Sequence, residues 1–329
     1  MHSVKRVRTS AEAQAAKKRK EAGKIVEYKA LVDKVFTGRD AGDLSLNALH
    51  LTTTLLKQNP EYYTVWNYRR EILVSLFKSL STEEIISTIE SELEFLFSRL
   101  REFPKCYWIW NHRKWCLTTS PKPNYKYELK LVTLMLERDA RNFHGWQYRR
   151  AVVASIEKMM KHPGALDKSE FAYTTAKINN NFSNFSAWHN RTKLIPRMLI
   201  DDPDLDGREL LKKEIHLITQ AIYTDPDDQS VWLYHRWLVT SNDIVKLSTD
   251  ERVELLHQEI KSIDELLVVE PDSKWCLHSL AFYKNFLATI TNSPVDPSVL
   301  EYLDRLAEID PMRRKRYQDW KAQITNTAD

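Results

Sequence analysis

Glycine and proline are scarce, with 6 Gly and 12 Pro in 329 residues. A β-sandwich or barrel reverses its chain often and uses these residues to do it. Their scarcity therefore predicts long helices joined by short loops. Cysteine is scarcer still. Cys106, Cys116 and Cys276 form no CxxC pair and show no metal-ligand spacing. Free thiols in a reducing compartment are expected, not a disulfide framework or a zinc site. No apolar run approaches the roughly 18 residues of a membrane-spanning helix, and no apolar segment of a secretory signal follows the basic start. The expectation is a cytoplasmic protein that is not integral to a membrane.

The body also lacks an excess of one charge. The net charge is +4, but residues 1–24 hold eight Lys/Arg against two Glu, leaving 41 basic and 43 acidic residues elsewhere. The basicity belongs to an N-terminal arm, so no nucleic-acid partner is expected. Residues 1–36 read as this arm and a first helix over 10–36, with Lys17-Lys18-Arg19-Lys20 as its solvated face or a nuclear signal. The composition, 43% hydrophobic and 29% charged, suits a well-cored globular chain.

Tryptophan, by contrast, recurs with a period. Trp66, Trp110, Trp146, Trp188, Trp232 and Trp275 are 44, 36, 42, 44 and 43 residues apart. A period of this size marks stacked supersecondary repeats. Each repeat reads as two helices. In the segment from Glu83 to Glu102, Ile86, Ile89, Leu93, Leu96 and Leu100 fall at three- and four-residue steps. Phe103-Pro104 then interrupts, and the Trp110 segment opens a second helix; Asn59-Pro60 and Asp225-Pro226 mark the same junction elsewhere. The expected fold is all-α, a right-handed α-α superhelix (a solenoid or crescent) of helical hairpins. One domain over 37–329 holds repeats centred at about 59–74, 103–118, 139–154, 181–196 and 225–240, with a degenerate sixth at 270–287. Three residues after the first four tryptophans stand Arg69, Arg113, Arg149 and Arg191; His235 and His278 follow Trp232 and Trp275. Residues three apart share a helix face. The set therefore reads as architectural: Trp filling the gap between helices, Arg tying repeat to repeat through a buried ion pair.

An aromatic-x-x-Trp-x-x-Arg pattern repeated at this spacing over roughly residues 45–290 closely resembles the protein prenyltransferase α-subunit repeat. The resemblance implies a crescent of hairpins wrapped around a globular β subunit that carries the zinc. The family has two kinds of α subunit, one shared by farnesyltransferase and type I geranylgeranyltransferase, the other serving Rab geranylgeranyltransferase. The opening Met-His-Ser-Val-Lys-Arg is similar to that of the Rab type, with Ser3 in place of the usual Gly, and Lys177-Ile178-Asn179-Asn180-Asn181 looks like the yeast form. An end soon after the sixth repeat is expected to leave out the immunoglobulin-like and leucine-rich domains of animal forms. The implied partners are a β subunit, a Rab escort protein, a Rab GTPase substrate and geranylgeranyl diphosphate. The shared α subunit and a non-catalytic helical scaffold remain the alternatives, although tetratricopeptide repeats are shorter, about 34 residues.

Prenyl transfer needs donors around a departing diphosphate and zinc to hold a thiolate. The chain offers no zinc site and no usable aspartate-rich magnesium motif, since Asp201-Asp202-Pro203-Asp204-Leu205-Asp206 has Leu205 and Pro203 where DDxxD on a helix forbids them. It is expected to bind no cofactor alone; magnesium would come with the diphosphate. Only the second repeat joins a cation to a tyrosyl hydroxyl, as Pro104-Lys105-Cys106-Tyr107. In the family the Lys and Tyr of this motif reach the β-subunit pocket. The resemblance thus implies Lys105 and Tyr107 as the catalytic candidates, Lys105 on the diphosphate and Tyr107 beside it. Arg141 and His144 are further diphosphate candidates, with capping or packing the other reading of His144. His112 and His189 read as structural. His2, on the basic arm, is a candidate transient ligand of the β-subunit zinc.

Overall fold

Serine, aspartate and asparagine set where helices begin. Ser45 Oγ accepts from the Ala48 N–H at 3.2 Å, Asp206 Oδ1 from Arg208 at 2.8 Å and Asn184 Oδ1 from Ala187 at 3.2 Å. Ser81 with Glu84 and Ser248 with Glu251 form reciprocal capping boxes. The computed structural model describes residues 10–326, and these hold fifteen α-helices and no strand. They are α1 (Ala11–Asp40), α2 (Leu46–Gln58), α3 (Tyr63–Phe77), α4 (Thr82–Glu102), α5 (Tyr107–Thr119), α6 (Tyr125–Arg138), α7 (Phe143–Met160) and α8 (Asp167–Asn180). The series continues with α9 (Phe185–Asp201), α10 (Gly207–Thr224), α11 (Gln229–Thr240), α12 (Thr249–Val269), α13 (Lys274–Thr291), α14 (Ser298–Ile309) and α15 (Arg314–Asn326). The fold is all-α and built from helical hairpins.

Helix α1 runs four residues past its expected end at 36. Gly42, at φ +70°, closes it, and the Asp43 N–H bonds back to Gly38 O at 2.9 Å. Only glycine enters this left-handed conformation without cost.

The chain divides into two compact units. The first takes the chain up to Met135 together with Asn142–Val152; the second takes Leu136–Arg141 together with the chain from Val153. In the first, α2–α3 and α4–α5 pack as hairpins, with α3 beside α5. In the second, α8–α9, α10–α11, α12–α13 and α14–α15 do so. A final cluster of Leu277, Ala281, Val299, Leu303, Leu306 and Tyr317 closes the second unit.

One wiring scheme recurs in both units. The indole N–H of Trp66 donates to Pro60 O (2.9 Å), that of Trp110 to Pro104 O (2.9 Å), that of Trp188 to Phe182 O (2.6 Å) and that of Trp232 to Pro226 O (2.8 Å), six residues back each time. The ring is buried and its one polar atom fastens the turn that precedes its helix. Three of the arginines then reach two helices each. Arg69 donates to Glu92 on α4 at 2.6 Å and to Leu49 O on α2 at 3.0 Å. Arg113 meets Glu128 on α6 at 2.6 Å and Leu93 O on α4 at 2.7 Å. Arg191 meets Glu214 on α10 at 2.6 Å and Phe171 O on α8 at 3.5 Å. Arg149 bonds Thr133 Oγ1 at 2.7 Å. In the fifth repeat His235 Nε2 pairs with Glu259 at 2.8 Å.

The sixth repeat is in a different register from its tryptophan. Pro271 stands where Pro226 does, so Leu277 (3% exposed) fills the slot of Trp232, and Trp275 lies half-buried one turn-position earlier. His278 is therefore not in the arginine position. It accepts instead from Arg236 Nη2, through Nδ1, at 2.9 Å.

Candidate functional site

Between α4 and α5 the chain turns through Phe103-Pro104-Lys105-Cys106. The Phe103 N–H closes the end of α4 on Arg99 O at 2.7 Å, and Cys106 N–H bonds Phe103 O at 3.2 Å. Lys105 and Tyr107 are exposed at the outer side of this turn; Cys106 between them is buried, its Sγ 3.3 Å from Pro60 O. Burial pushes the Cys106 thiol up to about 11, which disfavours its thiolate at neutral pH. The alternation follows from the helix start: residues flanking the first turn point outward while the capping residue packs inward.

The turn is tied to α7. Pro104 O accepts both from Trp110 Nε1 (2.9 Å) and from Asn142 Nδ2 (3.0 Å). Asn142 also caps α7, its Oδ1 accepting from the His144 N–H at 3.0 Å. The His144 ring is buried, meets the Tyr107 ring edge-on at 4.1 Å between centroids and lies 3.9 Å from Phe143. Burial holds this imidazole below its usual range; the Glu61 charge and a hydrogen bond to the Lys105 backbone oppose that, and the Lys105 charge adds to it. A cleft of about 70 Å³ opens beside Tyr107, lined by Asn111, Lys114, His144 and Gln147 among others.

The structure thus brings Lys105, Tyr107 and His144 together within the first compact unit. Arg141, exposed on the α6–α7 connection, belongs to the second, where its backbone N–H donates to Asp139 Oδ1 at 3.3 Å. His2 lies outside the described residues. The Asp201–Asp206 run is the α9–α10 connection, with Asp202 paired to Lys168 at 2.8 Å and Asp206 capping α10. His112 is buried in the arginine network: its Nδ1 accepts from Arg70 at 3.1 Å and its Nε2 faces Glu92 at 2.8 Å. Lys114 and Asn142 were not foreseen. Lys114 stands seven residues after Tyr107, two helical turns on one face, so its place could have been found by spacing. The Asn142 contact spans 38 residues and leaves no local sign.

Chemically, an exposed ammonium beside a phenol can bind and stabilise an anion by charge and hydrogen bonding. No group of three or more His, Cys, Asp or Glu side chains suited to a metal occurs among the described residues.

Helical hairpins repeated in register, with second helices that carry Trp in their first turns and four of them wired onward through a buried carboxylate, define an α-helical repeat protein with one Lys–Tyr turn set apart. The chain belongs to the protein prenyltransferase alpha subunit repeat family, whose model matches residues 45–76, 89–120, 125–156, 167–198 and 211–242. It is 42% identical to the geranylgeranyl transferase type-2 subunit alpha of Schizosaccharomyces pombe, over 99% of both chains. The Saccharomyces cerevisiae protein of that name is 40% identical over 96% of this chain and 98% of its own. The human one is 42% identical, but over 74% of this chain and 42% of its own length. Among solved structures, Candida albicans protein geranylgeranyltransferase-I complexed with GGPP matches with a TM-score of 0.66 at 21% identity, over 91% of this chain and 90% of that one, a likeness of fold. No helix among the described residues is long and apolar enough to cross a membrane.

Proposed function

We propose that this chain is the α subunit of a heterodimeric Rab geranylgeranyltransferase. In this reading it joins a β subunit in the cytoplasm and transfers geranylgeranyl from its diphosphate to C-terminal cysteines of Rab GTPases presented by an escort protein. Similarity over nearly the full length of two fungal type-2 alpha subunits supports the assignment. The observation that carries the site is the exposed Lys105–Tyr107 turn, the one Trp-helix entrance joining a cation to a phenol.

The cysteine thiolate attacks C1 of the lipid, the C1–O bond breaks, and negative charge grows on the diphosphate. Lys105 meets that charge as a compact cation, and the Tyr107 hydroxyl donates beside it. Both are preorganised at a helix start, so little reorganisation is needed as charge develops. His144 stands behind them. The zinc that would hold the thiolate is assigned to the β subunit, and magnesium to the diphosphate.

The test is co-expression with β subunits and transfer from labelled geranylgeranyl diphosphate to a Rab protein, with and without escort protein. Escort-dependent transfer is expected, falling about 10²- to 10³-fold in Lys105→Ala while the heterodimer stays intact. Transfer only to peptides ending in CaaX would instead assign the chain to the shared α subunit. Failure to bind any β subunit would leave a scaffold.

A further inference from the structure

Two neighbouring side chains at the start of α7 face the backbone of the Lys105 turn. Asn142 Nδ2 holds Pro104 O at 3.0 Å. Two residues further on, the His144 imidazole faces the Lys105 backbone closely enough for that backbone to favour its protonated form. The second contact repeats a register seen elsewhere in the chain. Ser230, two residues before Trp232, places its Oγ 3.4 Å from Ser183 O, five residues before Trp188. His144 is likewise two residues before Trp146, and Lys105 five before Trp110. At Ser183 this contact positions nothing charged; at Lys105 it fixes the residue assigned to the diphosphate.

The His144 ring itself is poorly placed to meet an anion. It is 4% exposed, with the Tyr107 ring edge-on at 4.1 Å and Phe143 at 3.9 Å. Tyr107 is 52% exposed and covers it.

We infer that His144 is a positioning residue for prenyl transfer: it holds the Lys105 backbone and seats the Tyr107 ring, and it does not itself touch the diphosphate. The inference rests on the role proposed above for Lys105. It predicts that the contribution of His144 passes through Lys105, so that the two losses do not multiply.

A double-mutant cycle in the assembled heterodimer reads this directly, using single-turnover transfer of geranylgeranyl to Rab with escort protein, and equilibrium binding of geranylgeranyl diphosphate. His144→Phe keeps a ring between Tyr107 and Phe143 but removes the N–H. Its single-turnover rate is expected to fall about tenfold, as small displacements of a charge-stabilising group do. Lipid diphosphate affinity should change less than about twofold, because Lys105 acts mainly on charge that develops later. In a Lys105→Ala background the same substitution should cost almost nothing further. His144→Gln, which retains an N–H donor, should recover most of the rate.

Losses that multiply in the double variant overturn the inference, as does a fall in lipid diphosphate affinity that matches the fall in rate. If His144→Phe does not assemble, His144→Leu enters the same cycle and is judged by the same outcomes. A rate unaffected by Lys105→Ala is a different failure, since it removes the role of Lys105 on which the inference rests.

Discussion

Three glutamates in the core each answer to two other helices. Glu92 takes Arg69 and His112, Glu128 takes Arg113 and Tyr148, and Glu214 takes Arg191 and Tyr234, all at 2.6–2.8 Å. The Tyr or His is 20 residues after its Glu in each case, on the next helix along the chain. Burial works to raise the Glu92 carboxyl, but hydrogen bonds from His112 and Arg69 win and hold it at about 2. Such a carboxylate adds little net stability over an apolar group of its size, yet losing one partner is severe because the other charge stays buried. Glu128→Gln should therefore cost about 3–5 kcal/mol, against about 1.5–3 kcal/mol for Tyr148→Phe, which removes one hydrogen bond to a charge. Urea denaturation of the two variants would show whether that order holds. His278 gives a second, pH-dependent case. Burial, then the charges of Arg236, Arg316 and Arg313, bring its imidazole down from 6.5 to about 4. The unfolded chain thus binds this proton more readily than the folded one. The stabilisation is full above pH 6.5 and drains away as pH falls towards 4, on the order of 3 kcal/mol in all. Unfolding midpoints measured between pH 7 and 4 should fall along that window, and less steeply in His278→Gln. The arginines of this network were legible from their three-residue offset to Trp. Their carboxylate partners were not, because they lie 15 or 23 residues away across loops of unequal length.

Caps and connections decide where each helix starts, and with it which residues share a slot in the stack. The scarcity of Gly and Pro, with the Asn-Pro and Asp-Pro junctions, was enough to read the all-α hairpin fold. Two elements were misread for local reasons. Helix α1 outruns its expected end because Gly38 is tolerated inside it, and only Gly42 adopts the positive φ that stops it. Helix α13 was aligned on the wrong residue because tryptophan is conspicuous, whereas the junction proline sets the register. Leu277 fills the core slot, and Trp275 sits at the half-buried rim. The prediction for α13 follows: Leu277→Ala should cost about 2–5 kcal/mol, and Trp275→Ala distinctly less, as read by thermal unfolding. The caps make a gentler test. Ser81→Ala and Ser248→Ala each open a capping box and should cost about 1 kcal/mol. Urea denaturation of each variant would measure the cap of α4 and the cap of α12 separately.

At the scale of the molecule, the most conspicuous unsatisfied surface of the first compact unit is aromatic. Tyr63, Tyr107 and Phe143 each open a helix and are 52%, 52% and 53% exposed. They are joined by ring contacts, Tyr63 to Trp108 at 5.3 Å and Tyr107 to Phe143 at 5.8 Å. Exposed aromatics gathered in this way mark a protein interface more often than a solvated face. The Lys105 turn lies within the same row, so the partner that covers the aromatics would also receive the cation. The function proposed above needs this arrangement, since it has the α subunit supply charge to a pocket whose thiolate chemistry is assigned to the partner. Phe143→Asp should therefore weaken assembly with the β subunit at least about tenfold, while thermal stability of the α chain alone moves by no more than about 0.5 kcal/mol. Titration of labelled β subunit against the unsubstituted chain and the variant would measure the first quantity and scanning calorimetry the second. Unchanged assembly would remove this row from the interface. It would also separate the position of Lys105 from the pocket it is proposed to serve, and the proposed transfer chemistry would then need a different cation.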